Sequence, residues 1–155
     1  MTSTQPLKTD FWKALAASPF VMLELVGQPD GAAPMTAQLD KDADSAIWFF
    51  TARSSHFAAM GDAQATFAAK DHQLFARFSG HLVEETSEAV KDRLWSNAIE
   101  AWFPNGKDAP EVLLMRMDLG HASIWGGNLD FMGTIKMMLG MEVRQDAPDK
   151  LDTHL

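Results

Sequence analysis

Four consecutive residues, Arg53, Ser54, Ser55 and His56, are the part of this sequence best suited to binding chemistry. Their hydroxyl and basic side chains favour an anion such as a phosphate. They follow an aromatic run at residues 47–51 and precede a helix-like segment at 57–61, whose free N–H groups would also favour negative charge. Taken alone, these residues are more often an ordinary strand-to-helix loop in which a serine caps the helix. The surrounding sequence therefore has to decide between the two interpretations.

The composition excludes several functional classes. The chain has 155 residues, is 46% hydrophobic and carries a formal net charge of −8, which suits one acidic domain with a substantial core. Such a surface disfavours nucleic acid and anionic membranes as partners. There is no cysteine, which excludes disulfides, thiolate metal sites and cysteine nucleophiles. With no leader-like or membrane-spanning apolar segment, we expect a cytoplasmic protein.

Other catalytic signatures are missing from the sequence. The histidines show no paired metal-ligand spacing, and there is no glycine-rich phosphate loop or nucleophile elbow. We therefore predict no metal site, and no side chain is identified as a general acid or base. A methionine-rich segment is expected to serve apolar packing rather than soft-metal binding. Its members are Met132, Met137, Met138 and Met141.

The elements that must position these residues are mostly strands. A hairpin is predicted from residues 20–26 and 33–39, and the aromatic run at 47–51 forms the third strand. Residues 63–69 suit either a helix or a strand, and the strand is preferred. A long strand is predicted at 73–85, with a bulge or bend at Gly80. The last two strands, 112–119 and 121–125, are expected to meet at a tight turn around Gly120.

Three helices are predicted around these strands, at residues 9–17, 87–103 and 129–139. Together the elements predict a mainly β (α+β) fold, a six- to seven-stranded antiparallel barrel with peripheral helices. The whole chain, 1–155, is expected to be one domain with its barrel at 20–127. Residues 129–155 would supply a C-terminal helix and a polar tail.

Five short motifs, in this order and spacing, resemble the flavin-binding split-barrel superfamily related to pyridoxamine 5′-phosphate oxidase. The similarity is greater to its bacterial general stress protein branch, which includes general stress protein 26. The motifs are Ala33-Pro34-Met35-Thr36, Ile47-Trp48-Phe49-Phe50-Thr51, Ser55-His56-Phe57, Ala101-Trp102-Phe103-Pro104-Asn105-Gly106 and Ala122-Ser123-Ile124-Trp125. The resemblance implies a split barrel that binds flavin mononucleotide (FMN) in a groove at a homodimer interface.

The resemblance also implies a role for individual residues. Met35 and Thr36 would lie beside the isoalloxazine ring, and Phe50 and Thr51 would border it. Residues 53–56, which are Arg53, Ser54, Ser55 and His56, would surround the phosphate. Trp125 would flank the flavin from the partner subunit.

Two departures from the family pattern weaken the expected phosphate site. The family usually has arginine where this chain has Ala33, and lysine where it has His56. The loop after Thr51 is also one residue shorter. Each lost charge-assisted hydrogen bond is worth about 1.5–3 kcal/mol, so FMN affinity is expected to be reduced, with Arg53 as a replacement for one cation. The C-terminal region lacks the basic segment of the true oxidases, which argues against oxidation of that vitamin.

Three functions remain open from the sequence. The first is a homodimeric FMN-dependent oxidoreductase of unknown substrate, in which the protein supplies the cradle and the flavin the chemistry. The second is a non-enzymatic flavin-binding or stress-response module. The third is a split barrel that has lost its cofactor, a possibility favoured by Ala33 and His56 and opposed by Thr51, Ser55 and Trp125.

Overall fold

The structure is a computed structural model that describes residues 4–41, 43, 45–126 and 149–155. The described residues form three α-helices, seven strands and a single 3₁₀ turn. The helices are α1 (Thr4–Ala17), α2 (Glu88–Leu94) and α3 (Asn97–Trp102). The strands are β1 (Phe20–Leu25), β2 (Ala33–Thr36), β3 (Ala46–Ala52), β4 (Gly61–Ala68), β5 (Leu74–Glu84), β6 (Val112–Gly126) and β7 (Asp149–His154). The 3₁₀ turn, His56–Ala59, joins β3 to β4.

All strand pairs are antiparallel, and their order is β2-β1-β4-β5-β6-β3. The two ends of this sheet meet at one isolated bridge, where the backbones of Gln38 and Trp48 exchange hydrogen bonds of 2.7 and 3.0 Å. β6 pairs along one edge with β3 through its first half and with β7 through its second half. The sheet is thus a barrel that splits along β6, which confirms the predicted fold class.

The barrel interior follows from the alternation of apolar residues along the strands. In β1, Val21, Leu23 and Leu25 are buried, whereas their neighbours are exposed. Helix α1 covers one opening, because Phe11 and Leu15 on its apolar side are fully buried. The ring of Phe11 packs edge-on against Phe78 at 5.6 Å, a favourable aromatic geometry. A second, smaller apolar cluster, which includes Trp48, Leu94 and Leu114, lies under α2.

Several sequence predictions are confirmed. β1 and β2 form the expected hairpin, and the ambiguous residues 63–69 belong mostly to β4. The register of β5 against β6 shifts between Phe78 and Gly80, as expected for a bulge. A Cβ atom at Gly80 would lie 2.5 Å from the carbonyl oxygen of Asp118, so the close approach of the two strands requires glycine.

The prediction of one helix over residues 87–103 is wrong. The chain leaves the helix at Trp95, which has extended dihedrals (φ −67°, ψ 135°), and then starts α3. Ser96 stabilises this break, since its Oγ accepts a hydrogen bond from the N–H of Ile99. Ser87 caps α2, since its Oγ accepts a hydrogen bond from the N–H of Val90 at 3.3 Å.

Four further elements differ from the predictions. Gly120 makes no turn, because β6 continues through it along the same neighbour, β5. Helix α1 begins at Thr4, ahead of the predicted 9–17. The expected helix at 57–61 is only one 3₁₀ turn. Part of the predicted polar tail is β7, in which Leu151 is buried. The predicted helix at 129–139 lies outside the described residues.

Within the described part of the chain, no helix is both long and apolar enough to cross a membrane.

Candidate functional site

A cavity of about 610 Å³ lies between β2, the end of β3 and helix α3. Its volume is within the range of small-molecule sites. The lining residues are Pro34, Met35, Thr36, Gln38, Phe50, Thr51, Ala52, Ser96, Ala98, Ile99, Trp102 and Phe103. We call this the α3 cavity. Four of the predicted flavin-contacting residues, Met35, Thr36, Phe50 and Thr51, therefore meet in one place.

Aromatic packing builds one wall of the α3 cavity. β3 is buried from Ala46 to Phe49 and becomes half-buried at Phe50 and Thr51, where it leaves the core. The ring of Phe50 packs edge-on against Trp95, with centroids 5.4 Å apart. Trp95 in turn lies 6.2 Å from Phe103. This aromatic series forms an apolar surface at the point where α2 ends and α3 begins.

The polar groups that line the α3 cavity are uncharged. Thr36, Thr51 and Ser96 contribute hydroxyl groups, and Gln38 contributes an amide. The Gln38 backbone is held by its bridge to Trp48. Such a lining can orient a planar polar ring by hydrogen bonds, but it has no carboxylate, imidazole or ammonium group with which to transfer protons.

Arg53 is already engaged within the chain. Its guanidinium group donates two hydrogen bonds to the Glu84 carboxylate, at 3.2 and 2.7 Å, and its Nε donates to the carbonyl oxygen of Pro110 at 3.1 Å. The hydrogen bond from Arg53 holds the pKa of Glu84 below its ordinary value. Arg53 is therefore paired with Glu84 in this structure, and a role as a substitute phosphate cation would require it to leave that pair.

Ser54, Ser55 and His56 follow in the turn after β3. Ser55 is the cap of the 3₁₀ turn, because its Oγ accepts a hydrogen bond from the N–H of Phe57 at 3.1 Å. Its hydroxyl hydrogen remains available for a second partner. The imidazole of His56 lies against Phe57, with ring centroids 4.1 Å apart, and its Nε2 is buried with no hydrogen-bond partner in the described residues. A buried polar atom of this kind needs a partner.

The structure does not place residues 53–56 in the lining of the α3 cavity. A helix dipole contributes little there, since a single 3₁₀ turn lacks the many aligned peptide dipoles of a long helix. What remains for an anion is the Ser55 hydroxyl and the exposed Ser54, because Nε2 of His56 is buried and a ligand could reach it only after the imidazole moved.

Trp125 lies apart from the other predicted residues. It lines a second cavity, of about 570 Å³, on the outer face of β1, β4, β5 and β6. We call this the Trp125 cavity. Two cations flank the Trp125 ring: the guanidinium carbon of Arg77 is 5.7 Å and the Nζ of Lys150 5.5 Å from its centroid. Pro34 lines both cavities, so the two adjoin at this residue.

Eight lining residues were missed as site residues by the sequence reasoning: Pro34, Gln38, Ala52, Ser96, Ala98, Ile99, Trp102 and Phe103. Trp102 and Phe103 lie in a motif that supported the family resemblance, and their aromatic character was the available signal. Trp102 is 83% exposed, which is unusual for so large an apolar side chain. Ser96 was not recognised as a site residue because residues 87–103 were predicted to form one continuous helix. Within the described residues, no group of three histidine, aspartate or glutamate side chains is placed to hold a metal ion.

The fold and the α3 cavity define the class of this protein as a split-barrel protein with a ligand-sized groove beside its third strand. The sequence profile of the pyridoxamine 5′-phosphate oxidase like family matches residues 7–149, and the chain belongs to that family. The resemblance to its general stress protein branch is likewise confirmed. A comparison with curated protein sequences gave no match.

Three solved structures illustrate the relationship. A protein of the general stress family from Xanthomonas campestris pv. campestris is 42% identical, with 84% of this chain and 94% of that chain covered and a TM-score of 0.76. The general stress FMN/FAD binding protein of Xanthomonas citri is 41% identical, with 82% and 93% covered and a TM-score of 0.75. A general stress protein 26 from Jannaschia sp. CCS1 is 27% identical, with 99% and 100% covered and a TM-score of 0.78.

Proposed function

We propose that this protein binds FMN in the α3 cavity as a homodimer and acts as a flavin-dependent oxidoreductase. The observation that carries the proposal is the meeting of Met35, Thr36, Phe50 and Thr51 in one cavity of suitable size. The relative from Xanthomonas citri, 41% identical, is named an FMN/FAD binding protein. A mononucleotide is favoured because the sequence has no dinucleotide-binding fingerprint.

The residues of the α3 cavity suit a flavin ring. Met35, Phe50 and Ile99 offer apolar walls that exclude water, whereas Thr51 and Gln38 offer hydrogen bonds to the polar edge of a planar ring. The Ser55 hydroxyl and the exposed Ser54 suit an anionic group at the end of β3. Flavin, when bound, supplies hydride and single-electron transfer. The protein's part is then to bind, orient and shield it.

A second candidate function is flavin binding without catalysis. It is favoured by the neutral lining of the α3 cavity, which contains no general acid or base. Bleaching of the bound flavin by reduced nicotinamide nucleotides, followed by reoxidation and turnover, supports the oxidoreductase. Bound flavin that no such donor reduces supports the second candidate instead.

Homodimerisation is supported by an apolar patch on the outer face of the sheet. Phe20 is 62% exposed, Met22 42% and Phe75 38%, and they surround the Trp125 cavity. Contiguous exposed apolar residues of this size commonly mark a protein interface. Light scattering should give twice the 17.1 kDa mass of the chain. A monomer at micromolar concentration would contradict this part of the proposal.

The binding site is tested by filling the cavity. Ala98 and Ala101 both lie exposed on α3, but only Ala98 lines the α3 cavity. The wild type should bind FMN more tightly than flavin adenine dinucleotide, as followed by flavin fluorescence. Ala98→Trp should abolish this binding, and the matched control Ala101→Trp should preserve it. If the wild type binds no FMN at high micromolar concentration, the protein is a split barrel without the cofactor.

A further inference from the structure

The α3 cavity lacks a positive charge for the phosphate of FMN. All of its lining residues are neutral. Arg53 is held by Glu84 and by the carbonyl oxygen of Pro110, and residue 33 is alanine. A phosphate that leaves water needs compensating charge as well as hydrogen bonds. Ser54 and Ser55 can supply hydrogen bonds but no charge, and Nε2 of His56 is buried, so a cation has to come from elsewhere.

Arg77 is the arginine that the described part of the chain leaves without a carboxylate. The structure describes four arginines, and three of them form ion pairs: Arg53 with Glu84, Arg93 with Asp40, and Arg116 with Glu85 and Asp118. Arg77 forms none with the described residues and instead lies over the ring of Trp125. A guanidinium group is well suited to phosphate, since it donates paired hydrogen bonds in a fixed plane.

Among the described residues, the direct neighbours of Arg77 carry no negative charge. Its cross-strand neighbours are Thr66 and Ser123, which are neutral, and no carboxylate lines the Trp125 cavity. Asp152 lies one strand further on, beyond Ser123, and is held there by Ser123 and Lys150. Lys150, on the other side of Trp125, differs because its Nζ lies 3.2 Å from Asp152. An unpaired arginine within an apolar patch presents its charge to whatever covers that patch.

We propose that Arg77 of one chain binds the phosphate of FMN held in the α3 cavity of the other chain. This inference rests on the proposed flavin-binding homodimer. The geometry that supports it is the shared wall of the two cavities at Pro34. A two-fold axis passing near Pro34 sets the Trp125 cavity of each copy against the α3 cavity of its partner. Each FMN site is then incomplete in one chain alone.

Neutralising Arg77 tests the charge. Arg77→Gln should weaken FMN binding by roughly 10- to 150-fold, the value of one lost charge-assisted contact, and should leave riboflavin, which has no phosphate, nearly unaffected. Arg77→Lys should recover part of the affinity. Lys13→Gln is the control, because Lys13 is exposed on α1 and its replacement changes the net charge equally. An equal loss for both flavins, or no loss for either, overturns the assignment.

Mixed dimers test whether the contact crosses the interface. Two differently tagged variants, Arg77→Gln and Ala98→Trp, are co-expressed and the heterodimer is purified by both tags. If Arg77 acts across the interface, one site of the heterodimer combines an open α3 cavity with an intact Arg77. That site should bind FMN with wild-type affinity at half the wild-type stoichiometry.

The outcomes separate the two proposals. If Arg77 acts within its own chain, neither site of the heterodimer is complete and tight binding does not return, which overturns the inference but leaves flavin binding intact. If wild-type protein binds FMN and Arg77→Gln binds it equally well, the inference again fails alone. If the wild type binds neither FMN nor riboflavin, the proposed function fails and the inference fails with it.

Discussion

Replacement of Glu85 by glutamine should destabilise the fold at neutral pH. The Glu85 side chain is only 9% exposed. Its Oε1 accepts hydrogen bonds from Nε1 of Trp48 at 3.0 Å and from Nη1 of Arg116 at 3.5 Å, and its Oε2 accepts from the N–H of Ser87 at 3.3 Å. One carboxylate thus ties β3, β6 and the start of α2 together.

The magnitude follows from the donors that glutamine would leave unpaired. The amide has one acceptor oxygen, so its NH₂ group would face at least one of these donors. A buried donor without a partner costs about 1–3 kcal/mol. For a chain of this size a loss of about 2 kcal/mol corresponds to a fall in Tm of roughly 4–8 °C. Thermal unfolding followed by circular dichroism measures it.

The pH dependence has a definite sign. Burial raises the pKa of Glu85, but the hydrogen bonds from Trp48 and Ser87 and the charge of Arg116 outweigh it, so the pKa in the folded protein lies below the ordinary 4.5. The resulting stabilisation is present above that ordinary value and is lost as the pH falls through the folded value. The difference in Tm between wild type and Glu85→Gln should therefore shrink in acid.

The neighbouring Glu84 provides the control. Its side chain is 36% exposed and pairs with Arg53, itself 49% exposed, and such surface pairs contribute about 0–1 kcal/mol. Glu84→Gln should therefore lower Tm less than Glu85→Gln. Equal effects of the two variants at neutral pH, or a difference for Glu85→Gln that stays constant into acid, would refute this reasoning about a buried, hydrogen-bonded carboxylate.

Two further predictions concern the bulge and the engaged arginine. Gly80→Ala should lower the free energy of unfolding in urea by about 1–3 kcal/mol, because its Cβ would lie 2.5 Å from the carbonyl oxygen of Asp118. Gly120→Ala should cost less, because the nearest atom to a Cβ there is 3.6 Å away. The reverse order of the two effects would contradict the prediction. Arg53→Gln should change the FMN dissociation constant by less than roughly threefold, since Arg53 already pairs with Glu84. A tenfold weakening would show that Arg53 leaves Glu84 and binds the phosphate.

The strands were predictable because each alternates or concentrates its apolar residues over a short span. That regularity located Met35 and Thr36 on β2, and Phe50 and Thr51 on β3, and these four side chains meet in the α3 cavity. Their contact with flavin stays a prediction. β7 was missed because five of its six residues are polar and Leu151 is its one apolar residue. Its pairing with β6 also depends on residues distant in the sequence.

The electrostatic partners could not be inferred from local sequence. The position of Arg53 next to two serines predicts a phosphate ligand. In the structure its guanidinium group instead donates a hydrogen bond to Glu84, which lies 31 residues further along the chain at the end of β5. The position of Trp125 outside the α3 cavity likewise depends on how the strands pair to form the barrel, which the local sequence does not show. Ser96 is a local signal for the break between α2 and α3, because a serine in the middle of an apparent helix often caps a new one.

The single bridge between Gln38 and Trp48 has a consequence for how the barrel moves. Elsewhere along the closed path the neighbouring strands share runs of several paired residues, but this seam is closed by two backbone hydrogen bonds. Breathing of the barrel should begin there, since local opening follows the regions with the fewest contacts. Gln38 and Phe50, which follows Trp48 by two residues, both line the α3 cavity. A ligand in the α3 cavity would therefore contact both sides of this seam. Ligand binding would then favour the closed barrel, and opening of the seam would favour release of the ligand.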